Sequence, residues 1–171
     1  MNQPFNDVLS VSRRALRVLI TLNWVFGAAI LALLIWTFLA EAFVARALGA
    51  GKDPNLIVAM RLIMVIGVVA APIANVVFSR LLWIVDTVRT GDPFVISNAL
   101  RLQTIAWAVL ALELSRLVVV GIARGVSTTA RPIHIDFHFS VTPWLAVLLL
   151  FVLARVFEHG ARMREELAAT V

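Results

Sequence analysis

Long apolar runs alternate along this chain with short polar punctuation. No charged residue interrupts Val18 to Ala40 or Leu62 to Ser79, and further uncharged runs extend from Leu102 to Leu112 and from Thr142 to Ala154. A helix crossing ~30 Å of hydrocarbon needs about 20 apolar residues, fewer where flanking arginines reach back to the interface. The pattern predicts an all-α integral membrane protein, a bundle of four transmembrane helices over 18–40, 56–85, 99–123 and 142–160 within one membrane domain, 1–171. The punctuation agrees. Asp53-Pro54 and Thr142-Pro143 each place a capping side chain before a proline suited to the first turn, and Ser97 or Asn98 is predicted to cap the third span. Pro72 predicts a kink in the second span, with the freed carbonyl met by a neighbouring helix. Ahead of the first span, Phe5, Leu9 and Leu16 beside Arg13, Arg14 and Arg17 predict an N-terminal interfacial helix, and 158–171 reads as a charged tail.

Composition reinforces this pattern. Charged residues make up 15% of the chain and hydrophobic ones 61%, against about 25% and 45–50% in soluble domains. A net charge of +5 would suggest nucleic acid in a soluble protein. Here the arginines stand at span ends, where they anchor in headgroups, and no basic stripe with interleaved aromatics remains; direct nucleic-acid binding is not expected. The expected partners are the lipid bilayer and further copies of the chain. The absence of cysteine excludes disulfides, thiolate metal sites and cysteine nucleophiles. The first apolar run is too long for a cleaved signal and is expected to be a retained span. With four spans both termini share one side. Arg13, Arg14, Arg17, Arg80, Arg89, Arg101, Arg155, Arg162 and Arg164 fall there, nine in all, against six on the other side: Arg46, Lys52, Arg61, Arg116, Arg124 and Arg131. The positive-inside rule then predicts a multi-pass protein of the bacterial inner membrane with both termini cytoplasmic. Trp24, Trp83 and Trp107 are expected near the inner interface and Trp144 near the outer one.

Candidate chemistry is sparse. Glu113 falls midway along the third span and Arg116 one helical turn beyond it, on nearly the same face. Charges at that depth face the bundle interior; the pair is either a packing device or part of a pathway. Asn23 and Asn75 are expected to form interhelical hydrogen bonds, and the small pairs Ala28/Ala32, Gly67/Ala71 and Ala111/Ser115 to allow close helix approach. In "IHIDFHF" (Ile133 to Phe139) a period of two places His134, Asp136 and His138 on one face. These are weak metal-ligand candidates, since one short strand is a poor scaffold and an amphipathic edge explains the alternation equally well. A tight metal site is not expected there. No nucleophile elbow, zinc-protease helix or phosphate loop is present, so neither enzymatic activity nor a cofactor is expected.

The most polar passage inside the greasy part is "DTVRTGDPFVISNALRL", Asp86 to Leu102. Its Gly91, Pro93, Phe94, Asn98 and Arg101, together with Phe157, Gly160, Arg164, Glu165 and Thr170-Val171 near the end, resemble a family of bacterial four-span inner-membrane proteins catalogued as a domain of unknown function. The basic tail and the "IHIDFHF" loop depart from that pattern. Such proteins are often encoded beside a small Xre-type helix-turn-helix regulator, so the resemblance implies a membrane sensor or regulator. The residues point the same way. Asp92, Pro93, Phe94, Asn98 and Arg101, with Arg162, Arg164 and Glu165 of the tail, are expected to form a cytoplasmic docking face for a cytosolic partner, Phe94 being the apolar anchor. The alternative is a small-solute or proton-coupled transporter built on Glu113 and Arg116.

Overall fold

A computed structural model describes residues 3–40, 43, 54–89, 95–126 and 140–169. They form four long helices: α1 (Gln3–Leu39), α2 (Pro54–Arg89), α3 (Ile96–Val126) and α4 (Thr142–Ala169). Each is long and apolar enough to cross a membrane, and there is no strand among the described residues. Pro54 opens α2 and Pro143 lies in the first turn of α4, where the missing N–H costs nothing. Two predicted details differ. The N-terminal segment is not a separate interfacial helix; α1 is continuous from Gln3, and no glycine or proline between Pro4 and Gly27 offers a break. The charged tail is helical over 158–169, forming the last turns of α4.

Packing follows chain order. α1 lies on α2, α2 on α3 and α3 on α4, so the helices form a row whose two outer members have one packed side each. α3, held between two neighbours, contributes most of the buried positions, among them Leu102, Ile105, Ala106 and Val120. Most of the large apolar side chains of α1 and α4, such as Phe26, Trp36, Leu148 and Val152, are exposed. A bilayer accepts such a surface, because lipid tails are as apolar as the side chains themselves.

The seam between α1 and α2 shows how the row is held. The less exposed positions of α1 run Leu16, Ile20, Asn23, Gly27, Ile30, Leu34 and Thr37. Spacings alternate between four and three residues, the repeat that keeps one stripe of a helix against a nearly parallel neighbour. At its centre the Asn23 amide donates to the Ala71 carbonyl over 2.8 Å. A Cβ on Gly27 would come within 2.9 Å of the Ala71 Cβ, and one on Gly67 within 3.4 Å of Ile30. Gly67 and Ala71 therefore do form the predicted close approach. Their partners are Gly27 and Ile30, whereas Ala28 and Ala32 are exposed on another face. Pro72 sits inside a continuous α2. The neighbouring helix does supply a donor to this turn, although to Ala71 rather than to the Val68 carbonyl that a proline at position 72 releases.

Depth along the bundle is marked by charge. Arg61 and Arg80 stand nineteen residues apart on α2, about 28 Å at ~1.5 Å per residue, close to a hydrocarbon thickness. Ala71 lies halfway between them. Trp24, next to Asn23, is consequently at mid-depth rather than at an interface, with its ring exposed.

The Gly27–Ala71 approach predicts a coupled pair of substitutions. Gly27→Ala should cost about 1–3 kcal/mol of stability in detergent through overcrowding. Adding Ala71→Gly should recover part of that loss, measured as a double-mutant cycle on thermal or denaturant unfolding. Two independent, additive losses would show that the helices do not meet there.

Candidate functional site

Polar contacts concentrate where α1 begins, α2 ends, α3 begins and α4 ends, referred to here as the arginine-rich end. Between α1 and α2, Arg13 Nε approaches Asp86 Oδ1 to 3.2 Å, both side chains being about one-third exposed. Between α2 and α3, Asn98 is completely buried. Its Nδ2 donates to Thr87 Oγ1 at 2.8 Å, and its Oδ1 accepts from Arg101 Nη1 at 2.8 Å. The single hydroxyl proton of Thr87 is best used by the Ile84 carbonyl at 2.7 Å, which leaves a lone pair free for Asn98. Arg101 also lies over the Trp83 ring, 5.6 Å from its centroid. A neutral amide thus links two helices and holds a guanidinium in place.

On α4 the spacing Arg155, Glu158, Arg162 puts three charges on one face. Arg155 Nη1 and Arg162 Nη2 donate to the two carboxylate oxygens of Glu158, at 2.9 and 2.6 Å. These side chains border a cavity of about 360 Å³ between the first turns of α3 and the last part of α4, walled by Leu100 and Phe151. Deeper in, Trp107 closes the same seam edge-on against Phe151, with centroids 5.3 Å apart.

The intramembrane residues behave differently from one another. Arg116 grips Glu113 with two bonds, Nε to Oε2 at 3.0 Å and Nη2 to Oε1 at 2.6 Å. The carboxylate side chain is 7% exposed and the guanidinium 41%, so the acid faces the bundle while the base reaches outward. Near the opposite end, Arg61 Nη2 donates to the Thr37 carbonyl at 2.7 Å and stacks 4.2 Å above the Phe38 ring. It thereby serves one of the last carbonyls of α1, which have no partner inside their own helix. Asn23 makes its expected interhelical bond. Asn75, at similar depth, does not: its buried Oδ1 has no hydrogen-bond partner in the structure.

The docking set is only partly assembled. Arg162, Arg164 and Glu165 are exposed on the projecting part of α4. Asn98 differs from expectation in two ways. It does not cap α3, since the helix already starts at Ile96 and the Asn98 N–H donates to Val95 O at 2.9 Å. Nor can it touch a partner, being buried under Thr87 and Arg101. Asp92, Pro93 and Phe94 lie outside the described residues, as do His134, Asp136 and His138. Among the described residues no three His, Asp or Glu side chains converge as a metal set would. Asp86 and Thr87, inside the polar passage, and Arg155 and Glu158 on α4 are contributors beyond the predicted docking set; for the α4 trio the one-face spacing is the signal that the sequence carries.

Four apolar helices with polar contacts gathered at one end define a multi-pass helical membrane protein. Residues 63–171 match the family model described as "Protein of unknown function (DUF2975)", and the chain belongs to that family. The match begins inside α2 and takes in Asn98, Arg101 and the whole of α4. Neither a curated protein nor a solved structure matches the chain.

Two outcomes test these contacts. Asn98→Ala should lower stability by about 1–3 kcal/mol, because Thr87 and Arg101 lose a buried partner. Glu113→Gln should also destabilise the detergent-solubilised protein, by a comparable amount, and Arg116→Gln added to it should cost little more. Unfolding curves unchanged by Glu113→Gln would show that the pair does not hold the bundle.

Proposed function

We propose that this protein is a non-catalytic sensor or regulator of the bacterial inner membrane that docks a cytosolic partner on its arginine-rich end. The observation that supports this is how far the helices continue past the apolar zone. α1 from Gln3 to Leu16 and α4 from Val156 to Ala169 each add fourteen residues of helix, about 21 Å of rod beyond the arginine that borders the apolar core. A protein that needed only to span would stop at the headgroups. On the α4 projection Arg162, Arg164, Glu165 and Glu166 are exposed around an exposed Met163, a charged rim about an apolar patch of the kind that gives specificity to weak interfaces. Arg101, oriented by Asn98 and lying over Trp83, is at the same end on the α2 side of α3. Phe94 supplies a further apolar anchor from the α2–α3 connection, and a small helix-turn-helix regulator is the partner class we favour. The nine-to-six excess of basic residues supports a cytoplasmic setting for this end.

Reporter fusions at Ala50, Asp92, Thr129 and Val171 should read outside, inside, outside, inside. Truncation after Gly160, or Phe94→Ala, should reduce co-purification of a helix-turn-helix regulator at least tenfold while membrane insertion is kept. Full retention of the partner by both variants would refute the docking reading, and an external Val171 would refute its orientation.

A further inference from the structure

The cavity between α3 and α4 at the arginine-rich end has a composition that a connector between two helices does not require. One side is polar: Arg155, Arg162 and Glu158 from α4, with Gln103 from α3. The other is apolar, formed by Leu100 and Phe151. Its volume of about 360 Å³ is within the range of small-molecule sites, ~300–1,000 Å³. Its depth is that of the headgroups, because α4 changes there from exposed Leu148, Leu149 and Val152 to exposed charge.

From this we infer that the cavity is a binding site for the headgroup of an anionic phospholipid with a single phosphodiester charge. Each guanidinium spends one N–H on Glu158 and has others left, and paired N–H donors match phosphate oxygens. Glu158 is the positioning residue: it is 26% exposed, against 82% for Arg155 and 64% for Arg162, and it draws both arginines to the same place. Two positive charges and one negative leave the trio at +1, which one phosphodiester neutralises. Leu100 and Phe151 then continue from the headgroup into the lipid-facing surface, giving an acyl chain a path that a free phosphate would not use. Arg162 belongs both to this cavity and to the proposed docking rim, but the test uses only purified protein and lipid, so its outcome is read separately from partner capture.

The test is thermal unfolding of the purified full-length protein in detergent, with phosphatidylglycerol, phosphatidylcholine or inorganic phosphate added. Phosphatidylglycerol should raise Tm by about 5–10 °C beyond phosphatidylcholine, the scale for a ligand near 100-fold its Kd. Arg155→Gln with Arg162→Gln should abolish that difference. Leu100→Trp, which keeps every charge but fills the cavity, should abolish it too and covers the case in which the arginine variant fails to fold. Arg14→Gln with Arg80→Gln, exposed charges outside the cavity, should leave it intact. The inference is overturned if phosphatidylcholine stabilises equally, if inorganic phosphate alone reproduces the shift, if Leu100→Trp keeps the shift, or if the control variant loses it as fully as the cavity variant.

Discussion

Inside hydrocarbon an apolar side chain gains almost nothing by exchanging lipid for a neighbouring helix. Helices therefore stay together where their backbones come close or where a polar group finds a partner on the other side. Both devices occur at the α1–α2 seam within one turn of each other. Gly27 faces Ala71 with no room for another methyl group, and Asn23 reaches the Ala71 carbonyl. The remaining contacts along that stripe are ordinary packing, which is why α1 can be the least buried of the four helices and still have a defined register.

The same constraint governs the charges. A carboxylate at mid-depth is costly unless it is neutralised on the spot. Glu113 meets this with Arg116 one turn away on its own helix, so no neighbouring helix has to be placed accurately to satisfy it. Arg61 is handled differently. Its guanidinium crosses to α1 and takes a carbonyl that the end of that helix would otherwise leave without a partner. One residue thus satisfies a charge and a backbone terminus, and it links α1 to α2 at the end opposite the Arg13–Asp86 pair.

Much of this could be read from the sequence because antiparallel neighbours joined by short turns meet at positions equidistant from the turn. Thr87 and Asn98 are symmetric about the Asp92-Pro93 step, and Arg61 and Thr37 about Gly49. Span count, the Glu113–Arg116 pair and the close approach of Gly67 and Ala71 followed from hydropathy and spacing alone. What escaped was face and length. Apolar periodicity is nearly uniform around α1, so nothing in composition singled out Gly27 over Ala28 and Ala32; only the structure shows which stripe is covered. Polar residues beyond the apolar run looked like a surface helix at one terminus and a tail at the other. They continue as helix because arginine, glutamate, alanine and leucine are all good helix formers and no breaker intervenes. Asn98 was misassigned for a related reason: an asparagine near a helix start has the chemistry of a cap, but this one lies past the start and is used between helices.

The two ends of the bundle are consequently built for different tasks. At the arginine-rich end α1 is tied to α2 by an ion pair, and α2 to α3 by a buried amide carrying a guanidinium. Along α3 and α4 the seam closes at Trp107 and Phe151 and opens toward the end into a cavity bordered by charge. α4, like α1, packs extensively on a single neighbour, so its position can change without disturbing more than one seam. It is also the helix whose projecting turns present Arg162, Arg164 and Glu165. On the proposed reading, lipid at the α3–α4 seam and a partner on the α4 projection act on one mechanical element. The Thr87–Asn98–Arg101 link ties α2 to α3, so on that reading a shift of α4 would be a displacement relative to a joined pair.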